Sequence, residues 1–230
     1  GKSTFAVNIA FALQNLGLKI GILDADVYGP SLPKLIDLNE KPQSKEGKFL
    51  VPIEKYNAQC MSMGFLVEET TPMIWRGPMV ISAIKTMTTN VLWKDRDIII
   101  IDMPPGTGDT QLTFAQQIKV DGAVIVSTPQ DLALLDVKRG IEMFDKTGIK
   151  IIGLVDNMSF FKGDDNKDYK IFGEGGVEKT AKEYNKKFLG KIPIHQDLRD
   201  SNDRGDPLTH SKPEHEVSKL FLEIANKIKL

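Results

Sequence analysis

The sequence predicts an α/β protein whose sheet is doubly wound and mostly parallel, with helices on both faces. Two patterns lead to this fold class. Short apolar segments rich in Ile and Val alternate with longer segments of helical periodicity, and several apolar segments end in Asp or Asn. The chain has 230 residues, of which 41% are hydrophobic and 27% are charged, so it is long enough for one sizeable domain.

The predicted elements follow in an order that keeps this alternation. A strongly apolar helix over 5–13 comes first, and Gly17 is placed to end it. The next predictions are strands over 19–23, 97–101, 122–127, 150–155 and 188–192 and helices over 131–147, 174–186 and 213–228. Residues 41–63 depart from the pattern, because 49–53 and 58–63 resemble two short strands, and we interpret this segment as a β-excursion within a single domain over 1–230.

Composition excludes several classes of function. Lys plus Arg total 30 and Asp plus Glu total 31, and a formal net charge of -1 gives no overall field for binding nucleic acid or an anionic membrane. No apolar run approaches the roughly 20 residues that span a bilayer. A single cysteine, Cys60, excludes an intramolecular disulfide and any Cys-x-x-Cys pair within these residues. We expect a cytoplasmic protein with no nucleic-acid partner and no membrane insertion.

The first four residues, GKST, match the second half of a P-loop. A P-loop needs glycines whose backbone N–H groups surround phosphate oxygens, a lysine that reaches the β and γ phosphates, and a hydroxyl for Mg²⁺. Lys2 and Ser3 suit the last two roles. The upstream glycines and the first strand are not among these residues, so we expect the chain to begin inside the motif. A four-residue match alone leaves chance as an explanation.

Carboxylates at the ends of two predicted strands strengthen the P-loop interpretation. Asp24 and Asp26 follow the strand over 19–23, and Asp102 follows the strand over 97–101. Ligands bind at the carboxyl ends of strands in open α/β sheets, and a strand-end carboxylate next to the phosphates meets the Mg²⁺ shell. Each Asp alone is also an ordinary helix cap or turn residue. Together with Lys2 and Ser3 they favour a nucleotide site.

With these motifs in place, the sequence resembles the Mrp/ApbC branch of the MinD- and ParA-type P-loop ATPases, a family described as iron-sulfur cluster carriers. The resemblance extends nearly end to end and implies a MinD-like fold. It depends on GKST (1–4), DADVYGPS (24–31), MSMG (61–64), WRGPM (75–79), DMPPGTGD (102–109), STPQ (127–130), DNMS (156–159) and IFG (171–173).

The resemblance implies a homodimer that encloses two ATP molecules and hydrolyses them slowly. A second lysine of the P-loop, upstream of these residues, would reach the partner's nucleotide. By resemblance, Gly1 and Lys2 bind the phosphates, Ser3 ligates Mg²⁺, and Thr4 contacts the α-phosphate.

The same resemblance assigns roles to residues at other strand ends. Asp26 would position the attacking water, and Asp102 would support the Mg²⁺ ion. Asn157 would read the adenine edge, because an amide both donates and accepts hydrogen bonds, although a plain turn residue is the alternative. Pro193 and the loop after it would flank the base.

The chain departs from its relatives where many of them place a Cys-x-x-Cys pair that binds a [4Fe-4S] cluster between two protomers. Gly163 and Asn166 occupy those places here, and neither ligates iron as a thiolate does. We interpret 162–170 as a solvated, mobile loop and Cys60 as a small buried hydrophobe. The usual route to a [4Fe-4S] cluster is thereby excluded, whereas the residues expected to bind ATP and Mg²⁺ are present.

Three functional hypotheses remain open. The first is an ATPase that assists iron-sulfur assembly together with client or assembly proteins. The second is a partition or positioning switch like MinD and ParA. The third is a non-catalytic adaptor in which the nucleotide only stabilises the dimer. His195, His210 and His215 lack a spacing typical of zinc ligands, so we interpret them as loop and surface residues. Trp75 and Arg76 are either an interface contact or a packed loop anchor.

Overall fold

The computed structural model describes residues 1–66, 77–106, 111, 118–163 and 165–228. The helices are α1 (Lys2–Asn15), α2 (Leu32–Leu35), α3 (Gly77–Thr89), α4 (Asp131–Thr147), α5 (Gly176–Glu183), α6 (Gln196–Arg204), α7 (Leu208–Ser211) and α8 (Glu216–Ile228). The strands are β1 (Ile20–Asp24), β2 (Gln43–Lys45), β3 (Phe49–Val51), β4 (Ile53–Lys55), β5 (Ala58–Ser62), β6 (Ile98–Asp102), β7 (Ala123–Ser127), β8 (Ile151–Lys162), β9 (Asp168–Tyr169) and β10 (Phe188–Ile194).

Two mainly parallel sheets carry the fold. In the first, β1 lies between β5 and β6 and is parallel to both, and β4 is antiparallel to β5 at one edge. The register places Asp24 opposite Asp102 on one side and Ser62 on the other. In the second, β8 lies between β7 and β10, parallel to both. Parallel strands that alternate with helices confirm the predicted α/β class.

Helix α1 is the most deeply buried helix of the molecule. Residues 5–13 are all buried, and α1 contacts β1, β6, β7 and α8. The rings of Phe5 and Phe221 lie 5.6 Å apart, and the Thr209 hydroxyl donates to the Asn8 backbone oxygen at 2.9 Å. A helix that is apolar on all sides is stable only inside a core. α1 is therefore packed between the sheets and the helices near the other end of the chain.

Burial differs between the strands of these sheets. Every residue of β1 and β5 is buried, whereas every residue of β7, and of β6 apart from Asp102, is half-buried. β6 and β7 are each the last strand of their sheet, and within the described ranges no ladder joins them. Among the same residues, no helix combines the length and apolarity needed to cross a bilayer.

Most predicted elements occur within a few residues of their expected bounds. The helix over 131–147 is confirmed to the residue, and Gly17 follows α1 with a φ of +87°, as a terminating glycine does. The described residues of 162–170 are nearly all exposed, as expected of a solvated loop, but they are not all loop. β8 continues to Lys162 and pairs with β9, antiparallel, so this segment is a β-hairpin, of which residue 164 lies outside the described residues.

Residues 41–63 contain two different structures. β2 and β3 form a separate antiparallel pair, whereas β5 belongs to the main sheet beside β1. Strands thus occur within both predicted ranges, 49–53 and 58–63. The interpretations of Trp75 and Arg76, and the part of the predicted motif over 107–109, lie outside the described residues.

Candidate functional site

The site begins where α1 starts, at the carboxyl ends of β1 and β6. Gly1 precedes the helix and has no side chain to cap its first-turn N–H groups, so these point toward whatever binds in front of them. The ammonium of Lys2 forms an ion pair with Oδ1 of Asp102. Lys2 is 35% exposed and Asp102 only 6% exposed in their side chains, so the lysine reaches inward from solvent.

Asp24 organises the loop that follows β1. Its Oδ2 accepts hydrogen bonds from the backbone N–H groups of Ser31 at 2.9 Å and Leu32 at 3.0 Å and from the Ser62 hydroxyl at 3.0 Å. Its Oδ1 accepts from the N–H of Asp26 at 3.1 Å. Burial raises the pKa of Asp24 to about 6, while these donors oppose the rise. The sequence indicated a carboxylate here but gave no sign of this anchoring role.

Asp26 lies on the loop that Asp24 holds at both ends. Asp26 is 9% exposed, and its Oδ1 accepts from the N–H groups of Tyr28 at 3.1 Å and Gly29 at 3.2 Å. This is the local turn that Asp favours. The carboxylate is consequently fixed in orientation, two residues beyond the end of β1.

Ser3 and Thr4 occupy the first turn of α1, and both are half-buried. Oγ1 of Thr4 accepts a hydrogen bond from Nδ2 of Asn202 on α6 at 3.3 Å, whereas Oδ1 of Asn202 is buried without a partner. A cavity of about 440 Å³ opens beside Thr4, and it is lined by Thr4, Pro30, Ser31, Lys34, Leu35, Arg199, Asn202 and Asp203. No motif in the sequence pointed to Asn202.

Asn157 lies on the far side of the start of α1. A Cβ atom at Gly1 would come within 2.4 Å of Nδ2 of Asn157, so these two residues are in direct contact and a larger residue at position 1 would displace the Asn157 amide. Asn157 pairs in register with Ile192 of β10, and Pro193 is the next, buried residue. The structure thus brings Asn157 to Gly1 and places Pro193 on the neighbouring strand.

This arrangement can bind a phosphate together with a hard divalent cation. Free N–H groups at a helix start and a lysine ammonium attract anions. Hydroxyl and carboxylate oxygens, here Ser3 and Asp102, are the ligands that Mg²⁺ takes.

The family comparison identifies the family of the chain. The model of the NUBPL iron-transfer P-loop NTPases, in the ParA group, matches residues 1–229. The chain belongs to this family. The resemblance found in the sequence motifs is therefore confirmed.

Named relatives of this NUBPL-type chain match it over nearly its whole length. An Arabidopsis thaliana protein named iron-sulfur protein required for NADH dehydrogenase, mitochondrial, is 50% identical over 99% of this chain and 74% of its own length. The iron-sulfur cluster carrier protein of Escherichia coli strain K12 is 45% identical over 99% of this chain and 62% of its own length. The chain thus spans only part of these relatives.

Solved structures agree with the family. A nucleotide-binding protein from Archaeoglobus fulgidus, in complex with ADP and with Co, has a TM-score of 0.81 and 34% identity, covering 96% of this chain and 86% of that one. The septum site-determining protein MinD from Pyrococcus horikoshii, complexed with Mg-ADP, has a TM-score of 0.73 and 19% identity, covering 100% of this chain and 90% of that one. The second likeness shows the MinD-type fold alone.

The single cysteine of this NUBPL-type chain lies in the core. Cys60 is 0% exposed in β5, and burial raises the pKa of its thiol to about 12. A thiolate is the form that ligates metals.

The interpretation of the histidines needs correction. The structure brings His195 and His215 together with Asp197, although 20 residues separate the two histidines in the sequence. α7 and its flanking turns bring α6 and α8 together, which rules on the spacing of zinc ligands along the sequence do not cover. His195, His210 and His215 are all half-buried.

Proposed function

We propose that this chain is the nucleotide-binding part of a Mg²⁺-dependent ATPase that slowly hydrolyses ATP to ADP and phosphate and acts as a homodimer in iron-sulfur cluster delivery. The observation that carries the proposal is the contact of Lys2, at the start of α1, with the strand-end carboxylate Asp102. This site combines a lysine, helix N–H groups and carboxylates. Such a combination binds a nucleoside triphosphate with Mg²⁺ better than any neutral ligand.

Lys2 changes partner when a nucleotide binds. Without phosphate its ammonium is neutralised by Asp102. The β and γ phosphates offer stronger negative charge, so Lys2 turns to them and releases the Asp102 carboxylate. Ser3 and Asp102 would then hold Mg²⁺, which supplies neutralisation of the charge that develops on the transferred phosphoryl group. Lys2 stabilises the same charge from the other side.

Asp26 orients the attacking water in this proposal. Support comes from its fixed carboxylate, whose Oδ1 is held by two backbone N–H groups, and from the Asp24 anchor behind it. Phosphoryl transfer needs positioning more than covalent help from the protein, so an immobile carboxylate is what the reaction requires.

The base and the α-phosphate would bind along the other side of the start of α1. Thr4 would contact the α-phosphate with a hydroxyl that Asn202 already approaches at 3.3 Å. Asn157 would read the adenine edge, and Pro193 would flank the ring. The contact between Asn157 and Gly1 supports this placement, since it puts the amide next to the phosphate-binding residues.

Two substitutions test the assignment. Lys2→Ala should abolish Mg-ATP binding, because the ammonium is the main charge offered to the phosphates. Asp26→Asn should bind Mg-ATP normally and hydrolyse it roughly 100-fold more slowly. Fluorescent-nucleotide titration and phosphate release measure the two effects. Asp136→Asn, an exposed acid-to-amide change on α4, is the control that should alter neither. Equal loss of nucleotide affinity in both site variants contradicts the roles.

A second experiment tests how this chain relates to clusters. Anaerobic reconstitution with iron and sulfide should give no cluster bound by Cys60, because its thiol is buried and protonated. A stoichiometric cluster that disappears in Cys60→Ser would overturn this part. Iron-sulfur client or assembly proteins are the proposed partners. The names of the relatives, which refer to iron-sulfur proteins and clusters, support this proposal.

The domain boundaries and location are also proposals. One P-loop domain over 1–230 is supported by the family model, which matches residues 1–229. Dimerisation should be followed by light scattering with and without Mg-ATP. Tight ATP binding with no turnover would favour the adaptor hypothesis instead. A cytoplasmic location stays a prediction, since the Arabidopsis relative is named as mitochondrial.

A further inference from the structure

Two helices, α6 and α8, begin side by side, and each starts behind a histidine. His195 caps α6, and its Nδ1 accepts a hydrogen bond from the N–H of Asp197 at 3.1 Å. His215 precedes α8, and its Nδ1 accepts from the N–H of Val217 at 3.1 Å. The ring centroids are 4.9 Å apart and the rings are nearly perpendicular, at 82°. Both Nε2 atoms consequently face away from the backbone.

Each Nε2 atom meets a carboxylate from the opposite helix. His215 Nε2 lies 3.0 Å from Oδ2 of Asp197, and His195 Nε2 lies 3.3 Å from Oε1 of Glu216. Ligand atoms of His195, Asp197 and His215 all lie within 4.8 Å of one another. The rings are 25% and 17% exposed, so solvent ions reach them.

We propose that this cluster binds a divalent transition-metal ion of the Zn²⁺ or Co²⁺ class. The ligands are Nε2 of His195, Nε2 of His215 and a carboxylate oxygen of Asp197, with Glu216 as the fourth. Imidazole favours Zn²⁺, Co²⁺, Ni²⁺ and Fe²⁺ over Mg²⁺ and Ca²⁺. A tetrahedral site with bonds of about 2.1 Å places its ligand atoms about 3.4 Å apart. Binding therefore requires side-chain rotations that bring the ligand atoms, which lie within 4.8 Å of one another, to this spacing.

Metal binding changes the hydrogen bonds of both rings. In the ion-free protein each Nδ1 accepts a backbone N–H, so the ring proton is on Nε2. Ligation through Nε2 requires that proton to move to Nδ1, and the ring then gives up its backbone partner. The loss of each capping hydrogen bond opposes metal binding. The attraction between the cation and the carboxylates of Asp197 and Glu216 offsets that cost. We therefore expect micromolar rather than tighter affinity, and altered amide signals in the first turns of α6 and α8.

The test uses the chain without nucleotide, freed of metal by a chelator and titrated with Co²⁺ at neutral pH. One Co²⁺ per chain with strong visible absorption, displaced by Zn²⁺, is expected. His215→Ser and His195→Asn remove one ligand each but retain a capping side chain, so both variants should fold and bind Co²⁺ more than about tenfold more weakly. Glu214→Gln, an exposed acid beside the cluster that pairs with Lys219, is the control and should bind normally.

Two outcomes overturn the proposal. One is cobalt binding that survives both histidine variants, and the other is cobalt binding that is lost in Asp102→Asn, which would place the ion at the nucleotide site. The chain has three histidines, so imidazole NMR signals provide a further readout. Zn²⁺ should shift the signals of His195 and His215 and leave those of His210 unchanged. The proposal is independent of the proposed ATPase activity.

Discussion

Asp24 at the end of β1 and Asp156 in β8 are both 1% exposed, and burial raises the pKa of each carboxyl from 3.8 to about 6. Their hydrogen bonds differ. Asp24 accepts four, from three backbone N–H groups and one hydroxyl. Oδ1 of Asp156 is buried without a partner, and its strongest opposing influence is the charge of Lys191 on β10.

This difference teaches that depth alone does not decide what a buried carboxylate contributes. Both residues lose hydration to a similar degree. At Asp24 the lost hydration is replaced by donors that also fix the loop carrying Asp26, so the carboxylate holds part of the proposed active site in place. At Asp156 one oxygen has no replacement, which makes its charge a cost to stability.

We expect Asp24→Ala to change the free energy of unfolding more than the other substitutions compared below. Removal of the carboxylate leaves three backbone N–H groups of the loop and the Ser62 hydroxyl without their acceptor, so the free energy of unfolding should fall by about 3–5 kcal/mol. Urea denaturation measures it, and ATP turnover should be lost with it. A loss below about 1 kcal/mol would show that water replaces the carboxylate, and it would contradict the claim that Asp24 anchors the loop.

A matched pair of amides sharpens the contrast. Asp24→Asn should destabilise by about 2 kcal/mol, because an NH₂ group replaces one of the two accepting oxygens. Asp156→Asn should instead stabilise the protein at pH 7 by about 1–2 kcal/mol, because it removes a buried charge whose Oδ1 has no donor. Denaturation at identical protein concentration compares them, and effects of the same sign would contradict the interpretation.

The pH dependence provides a further test, with a definite sign. Since both folded-state pKa values are raised to about 6 from 3.8, the folded chain binds more protons than the unfolded chain between these values. Stability from these two groups is therefore present below the unfolded pKa and falls as pH rises toward 6. Asp156→Asn should remove about half of that slope. Urea midpoints across this pH range measure it, and an unchanged slope would refute the Asp156 contribution.

The smallest expected effect is on Ser62→Ala. This change removes one of the donors to Asp24, so it should cost about 1 kcal/mol and raise the pKa of Asp24 further. Ser159→Ala is the control, because Ser159 donates to the uncharged Ile192 backbone oxygen at 3.2 Å. NMR titration of the carboxyl signals measures the pKa of Asp24, which Ser159→Ala should leave unchanged.

Sequence patterns predicted the sheet class and the strand-end carboxylates because both follow from local order along the chain. Asp24 and Asp102 could be expected at neighbouring strand ends, since parallel strands share an edge. The partners of Asp24 could not, because Ser31, Leu32 and Ser62 are selected by loop geometry and strand order.

The same limit explains what was missed at the two histidines and in the hairpin. His195 and His215 meet only because α7 and its flanking turns bring α6 and α8 together, and no short spacing records this. The segment over 162–170 is rich in charge, which is typical of solvated loops. Pairing of Phe161 with Tyr169 overrides that composition and forms a hairpin.

The burial of α1 has a consequence for how the chain acquires its structure. Asn8 of α1 meets Thr209 of α7 across 201 residues, and Phe5 packs on Phe221 of α8. An apolar helix that leaves a ribosome long before the helices that cover it exposes apolar surface and is prone to aggregate until they arrive. Contacts between residues so far apart in the sequence also slow folding. We therefore expect the native packing of α1, which carries Lys2, to wait for the helices over 208–228, and nascent chains to depend on chaperones until those helices are made.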